Sequence, residues 1–245
     1  MSEIIINFFS IVQKTFEDII DYRLNKKSHI IKYYQVRKFY NEIADNMKQY
    51  FDEGKYDMDS YYSSVLNNIK KETKGYGLHL NKISKINQNV LYELFLYRNH
   101  NKIPSVSEIY SVIKRFRNKE KLKMLDSIIN SYVGLFRIVD VNKWNGFVTY
   151  EDVFTFKKFK IIDIAMSKTL RLNKNMSFYI YNRVISYDGI SFAIGIDNVM
   201  SSSNERLQKF IDKHNYNKCS DFSRCLILHN ISKDEKNLDV EYDCW

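Results

Sequence analysis

The chain is short of the residues that interrupt or staple a fold. Its 245 residues include one Pro, seven Gly and three Cys. So little Pro and Gly excludes a long flexible linker and any collagen-like or low-complexity architecture. Cys219, Cys225 and Cys244 are few, odd in number and confined to the C-terminal part. That pattern does not suit a disulfide framework and predicts a reducing, cytoplasmic setting. No apolar run approaches the roughly 18–20 residues that cross a bilayer. The opening Met1-Ser2-Glu3 lacks a basic n-region, and no small-residue cleavage site follows. A soluble protein without a membrane partner is expected. Gly-rich phosphate loops, His-Glu-x-x-His and Gly-x-Ser-x-Gly are also missing. Without those motifs no cofactor is expected.

What is present is apolar and basic. Hydrophobic residues make up 44% of the chain, which argues for a packed core and against disorder. The 19 Tyr and 16 Phe have a plain explanation in AT-rich codon usage, and carry no function by themselves. The formal charge is +9. Residues 1–127 hold 22 Lys/Arg against 15 Asp/Glu, and the remainder holds 16 against 14. The positive excess therefore belongs mostly to the first half. It permits an anionic partner without requiring one.

Apolar spacing divides the chain near Ser131. Ile5, Phe9, Val12, Phe16 and Ile19 recur every three to four positions and predict a helix over 3–24. Val36, Tyr40, Ile43, Met47 and Tyr50 do the same for 30–51. Asp57 opens a further stripe of Met58, Tyr62, Val65 and Ile69, and residues 82–98 form another helix. Ser105-Val106-Ser107-Glu108 is a capping box. The stripe after it leaves register, since Ile109, Ile113 and Phe116 face away from Leu122, Leu125 and Ile129. A break or kink is therefore expected near 117–120. Short β-rich runs follow over 133–141, 147–153, 159–165, 177–186 and 190–196. Asn145-Gly146 and Asp188-Gly189 suit turns needing positive φ. Five such strands predict a small barrel-like module. Ser202-Ser203-Asn204-Glu205 reads as a second capping box, opening a short helix. The fold class is thus α+β: a helical region over 1–131, a five-stranded β-barrel-like module over 132–200, and a short helix and tail over 201–245.

Three stretches of the β-module carry a resemblance. They are Gly134-Leu135-Phe136-Arg137-Ile138-Val139 running on to Gly146-Phe147-Val148-Thr149-Tyr150, Phe159-Lys160-Ile161-Ile162-Asp163-Ile164, and Tyr179-Ile180-Tyr181-Asn182-Arg183-Val184 with Asp188-Gly189. Together, residues 132–197 resemble a β-module of uncharacterised proteins from low-GC Gram-positive bacteria and their mobile elements. The resemblance implies a setting in phage defence or counter-defence. Related modules accompany a metal motif of the SecA C-terminal type, which needs Cys-x-Cys and His-Cys pairs. Neither pair occurs here.

The densest candidate site is Lys114-Arg115-Phe116-Arg117-Asn118-Lys119-Glu120-Lys121-Leu122-Lys123, with six cations and one anion in ten residues. Lys114, Arg115, Arg117, Lys119, Lys121 and Lys123 are the expected nucleic-acid contacts. On one helix Arg115, Lys119 and Lys123 would form a row able to meet successive phosphates. A solvated, solubilising face is the bland alternative. Tyr150, Phe159, Tyr179, Tyr181 and Phe192 offer stacking surfaces, but alternating aromatics in strands more often build a core. Arg183 sits in an apolar run and needs a partner if buried, for which Asp163 is one choice.

Weaker patterns remain. Arg224 and His229 match the Arg-x4-His spacing of HEPN-family ribonucleases, a resemblance that implies RNA cleavage by that pair. His214, Cys219, Cys225 and His229 are the four residues for a zinc alternative, although no Cys-x2-4-Cys knuckle is present. Asp57-Met58-Asp59 is better explained by helix capping than as a metal loop. Glu72-Thr73-Lys74 lacks the strand Asp that a nuclease would need. The sequence thus points to a non-enzymatic binding protein whose partner is nucleic acid, an acidic protein or a nucleoprotein complex. A protein-interaction inhibitor or regulator in phage–host conflict and a HEPN-like ribonuclease are the alternatives. Long amphipathic helices leave room for a homo-oligomer.

Overall fold

The computed structural model describes residues 18–53, 67, 105–114, 118–142, 144–172, 178–212, 224, 227 and 228. The expected helices over 57–69 and 82–98, and most of 3–24, lie outside them. Residues 18–25 are helical, and a turn at Lys26-Lys27 leads into α1, Ser28–Asp52. α1 buries the stripe read from its spacing: Val36, Tyr40, Ile43 and Met47 are all buried.

The expected capping box is formed. The Ser105 backbone N–H donates to Glu108 Oε2 at 2.6 Å, and the Glu108 N–H donates to Ser105 Oγ at 3.2 Å. It opens α2, Val106–Lys114. A separate helix, α3, runs over Lys119–Ile129. Asn118 caps α3 by accepting from the backbone N–H groups of Glu120 and Lys121 at 2.9 and 3.2 Å. The out-of-register stripe thus resolves into two helices. α3 buries Met124, Leu125 and Ile128, whereas Leu122 and Ile129 of the anticipated stripe are half-buried.

Five strands follow: β1 Tyr132–Asn142, β2 Phe147–Asp152, β3 Lys158–Ile162, β4 Phe178–Tyr187 and β5 Ile190–Ser201. They close a barrel in the order β1-β2-β3-β5-β4. β1 pairs antiparallel with both β2 and β4, and β3 pairs parallel with β5 at Ile162↔Phe192. The expected third strand ran to 165. Instead Asp163 accepts the Met166 N–H at 2.9 Å and starts α4, Ile164–Leu172. Spacing alone missed this helix because Ile161, Ile162 and Ile164 read as one β-rich run. The Asp188-Gly189 turn has both residues at positive φ, 48° and 75°. That geometry suits the twist of the β4–β5 hairpin. A last helix, α5, spans Glu205–Asp212. Its cap is Asn204 rather than a Ser202–Glu205 box, because Asn204 Oδ1 accepts the Leu207 N–H at 2.9 Å.

Neighbouring residues on a strand face opposite ways, so the barrel has two apolar surfaces. Its interior is filled by Phe136, Val148, Tyr150, Ile161, Ile180 and Val184, with Met166 of α4. The outer surface of β4 and β5 presents Tyr181, Ile185, Phe192 and Ile194 to the helices. They share a second core with Tyr40 and Met47 of α1, Leu125 and Ile128 of α3, and Leu207 and Phe210 of α5. This core continues across Ser131, so the helices and the barrel pack on one another. Tyr150, Tyr181 and Phe192 are fully buried, as the core reading of the strand aromatics anticipated.

Candidate nucleic-acid interface

Helices α1 and α3 cover the β4–β5 side of the barrel, and α4 lies against β1 and β2. α1 lies against β5 and α3 against β4. On the far side β3 exposes Lys158 and Lys160, while Ile161 between barrel and solvent turns inward. Lys158 sits in a row across three strands, with Arg137 of β1 and Glu151 of β2. Arg137 Nε donates to Glu151 Oε1 at 2.6 Å, and Lys158 Nζ lies 3.4 Å from Glu151 Oε2. Chiefly through Arg137, the row holds the Glu151 carboxyl below its ordinary range. One acid is thus shared by two cations, which leaves the row net positive.

The next row joins Lys160 of β3, Thr149 of β2 and exposed Asp140 of β1, and Lys160 Nζ lies 4.5 Å from the centre of the Phe147 ring. The other neighbour of that ring is His29 of α1, stacked at 4.9 Å and 13°. His29 Nε2 is 2.9 Å from the Asn145 carbonyl oxygen, and Lys27 Nζ donates to the Trp144 carbonyl at 2.6 Å. Lys27 also reaches the Asn145 side chain. The start of α1 therefore pins the β1–β2 turn, and Trp144 stays 46% exposed beside it. Gly146 takes φ +67°, the conformation the Asn-Gly pair predicted, and its missing Cβ leaves room for Ile30 and Leu24.

The opposite end of the face is the β2–β3 turn. The Asp152 carboxylate is buried and its Oδ1 accepts the N–H groups of Phe154 and Thr155 at 2.9 and 2.7 Å, and the Thr155 hydroxyl at 3.0 Å. The Asp152 N–H donates to the Lys157 carbonyl and the Phe156 N–H to the Asp152 carbonyl, both at 2.9 Å. This tight closure forces Phe156 to φ +56°. Such a conformation is an outlier for a bulky side chain and costs about 1–3 kcal/mol. Little burial offsets this, since Phe156 is 68% exposed. Next to it, Lys157 Nζ lies 4.8 Å from the rings of both Tyr132 and Phe159 at the barrel mouth. Residues 156–160 carry three Lys and no acid. That local signal was masked by the near balance of charge over the whole β-segment.

Of the six cations expected from sequence as a basic cluster, Lys114, Lys119, Lys121 and Lys123 lie among the described residues. Arg115 and Arg117 lie outside the described residues, and Lys114 ends α2. The break at Asn118 removes the single helix on which Arg115 would align with Lys119 and Lys123. Those two lysines are both exposed on α3. Lys123 Nζ pairs with Glu120 Oε1, and Lys121 Nζ with Glu42 Oε1, each at 2.8 Å. Glu120 also accepts from the Tyr187 hydroxyl at 2.8 Å. Burial, then the hydrogen bond to Glu120, pushes the Tyr187 phenol up to about 12. Lys32 pairs with Asp188 at 2.7 Å on the same side of the molecule. Acids thus interleave with these cations, and exposed pairs of this kind contribute about 0–1 kcal/mol each.

Asp163 has no cation in hydrogen-bond contact among the interactions that hold it. Tyr150 donates to Asp163 Oδ2 at 3.0 Å and the Met166 N–H to Oδ1. Burial raises the carboxyl above its usual range, opposed by those hydrogen bonds and by Arg37. Arg37, not Arg183, is the cation that acts on it. Arg183 instead donates to Ser131 Oγ. Arg37 Nη1 donates to the Ala193 carbonyl at 3.0 Å and its guanidinium lies 5.5 Å from the Phe192 ring. These contacts close the β3–β5 seam from α1. They describe a structural junction, with Asp163 acting as the cap of α4.

Among the described residues no three His, Cys, Asp or Glu side chains come together as a metal site. His214, Cys219, Cys225 and His229 all lie outside those residues. Arg224 is helical and half-buried. Asp57, Asp59 and Glu72 also fall outside the described residues.

A closed five-stranded barrel ordered β1-β2-β3-β5-β4, with a helix between β3 and β4, has the Greek-key organisation of OB-type barrels. A fold of this class hosts many functions and defines none by itself. The chain belongs to the family of unknown function DUF7986, whose profile matches residues 27–236, covering α1 to α5 and the barrel. No curated protein and no solved structure matches it.

Proposed function

We propose that this is a non-enzymatic nucleic-acid-binding protein that lays a strand across the open β1–β2–β3 face. The observation that carries the reading is the make-up of that face. Lys158 and Lys160 are exposed there beside Phe147, Lys157 and exposed Phe156 stand at its β2–β3 end, and of its acids Glu151 is shared between Arg137 and Lys158 while Asp140 is exposed opposite Thr149. Basic grooves lined with aromatic rings suit single strands, because phosphates supply salt-sensitive affinity and every base has a stacking face. Lys119 and Lys123 on α3 would serve as a second, weaker contact, since acids already flank them. A phage-conflict setting rests on the module resemblance alone.

The test is binding of the purified chain to labelled single- and double-stranded DNA and RNA across a salt series, with each probe checked for cleavage. The paired change Lys158→Glu/Lys160→Glu is expected to abolish most binding at low salt. Its residual salt slope should fall by about 1–2, one phosphate contact for each lysine. Lys119→Glu/Lys123→Glu should have a smaller effect. A larger loss in the Lys119/Lys123 variant than in the Lys158/Lys160 variant would return the main site to the helical cluster. Binding unaffected by either, or no binding at all, would sink the reading. RNA cleavage lost on Arg224→Ala would replace it with the ribonuclease alternative.

A further inference from the structure

We propose that Phe156 is a base-stacking residue, displayed by a strained turn to an unpaired nucleotide. The inference deepens the proposed nucleic-acid reading and rests on it. Three features of the turn point the same way. First, Phe156 occupies φ +56°, a conformation that loops ordinarily assign to Gly or Asn. Second, Phe156 is 68% exposed, so packing does little to compensate for the strain. Third, the turn beneath it is over-determined. Buried Asp152 takes three hydrogen bonds on one oxygen. The Thr155 hydroxyl is also 3.2 Å from the Tyr132 hydroxyl. Gly134 of β1 leaves the space that Asp152 fills, because a Cβ there would come within 2.4 Å of Asp152 Oδ2.

A backbone strain that yields little burial persists where the surroundings enforce it, and such sites cluster where ligands bind. The chemistry around Phe156 selects the ligand. Lys157, Lys158 and Lys160 follow it directly, with Lys158 and Lys160 exposed and Lys157 held at the barrel mouth. A polyanion is thereby favoured over a neutral or basic peptide. An exposed phenyl beside a row of cations matches a strand whose phosphates run along β3 and whose bases are free to stack. A duplex offers no unpaired base face at its side, so the contribution of Phe156 belongs to single strands.

Phe156→Gly separates this role from a structural one. A structural Phe would lower stability when removed. Here Gly relieves the left-handed strain, so the melting temperature should rise while single-strand affinity falls. The probes are oligothymidine and oligouridine of about 12 nucleotides, within the footprint of one small barrel, and a duplex of the same length. The full chain carrying Phe156→Gly should bind the single-stranded probes about tenfold more weakly, with duplex binding unchanged. Phe156→Trp should keep the affinity, and the emission it adds over wild type should be quenched by oligothymidine. Single-strand binding by Phe156→Gly equal to that of wild type overturns the role of Phe156 and leaves the basic face standing. A wild-type chain that binds no nucleic acid overturns both. A fall in melting temperature together with equal weakening on every probe would make Phe156 a structural residue.

Discussion

The two sides of the barrel solve opposite problems with the same strand alternation. Around β4 and β5, the outward residues are Tyr181, Ile185, Phe192 and Ile194, and helices cover them. Across β1, β2 and β3, the outward residues include Arg137, Asp140, Glu151, Lys158 and Lys160, all exposed except Glu151. On the first side apolar burial holds the molecule together. On the second, the charges contribute little to folding and are available for a ligand. The difference teaches where each kind of mutation should register. Changes on the covered side should appear in stability, and changes on the open side in binding.

Phe192→Ala should produce the largest effect. Its ring meets Tyr33 and Tyr40 at centroid distances of 6.3 and 5.8 Å and lies on the β3–β5 seam. A loss of about 3–5 kcal/mol is expected in urea unfolding. Lys160→Ala should stay within about 0.5 kcal/mol of wild type. Equal costs for the two would break the contrast between the sides.

Gly134→Ala tests the support beneath the open face. Its new methyl would collide with Asp152 Oδ2 and cost about 1–3 kcal/mol. It should also disturb the β2–β3 turn, which chemical shifts of Thr155 and Phe156 would report. Wild-type stability in this variant would mean that the turn adapts freely, and the over-determined geometry would lose its force. Asn204→Ala removes the cap of α5 and should cost about 1 kcal/mol, read by the same unfolding curve. It should leave nucleic-acid binding unchanged.

The subtlest contrast is in pH dependence. Burial raises Asp163 in the folded state, so its contribution to stability is present below the unfolded carboxylate value and is lost as pH rises through the folded one. Asp163→Asn should therefore gain on wild type in melting temperature between acid and neutral pH. Glu151 is lowered, mainly by Arg137, so its contribution is present above the unfolded value and is lost as pH falls through the folded one. Glu151→Gln should lag wild type most at neutral pH and close the gap on acidification. The same slope in both variants would show that the two carboxyls do not differ as their surroundings require.

Much of the architecture was legible in the sequence. The α1 stripe, the Ser105–Glu108 capping box, the loss of register near Asn118, five strands and both Gly-containing turns follow from local chemistry. Local rules failed at α4, where an isoleucine-rich run concealed a cap at Asp163. They also failed at Asn204, which took the place of a Ser/Glu box. The candidate site was less legible. The Lys114–Lys123 run stood out by density, but density does not report the acids that tertiary contact brings to it. Glu42 and Tyr187 approach α3 from distant parts of the chain. The lysines of β3 were passed over because charge was averaged along sixty-odd residues rather than over one face.

By itself, then, the sequence determined that helices precede a small barrel, because hydrophobic period and turn residues act over a few neighbours. Tertiary structure alone decided which barrel face the helices cover and which cations meet acids. It also decided that the β2–β3 turn, closed by buried Asp152 against Gly134, holds Phe156 out in solvent. Those outcomes depend on contacts between residues far apart in the chain, and local periodicity carries no record of them.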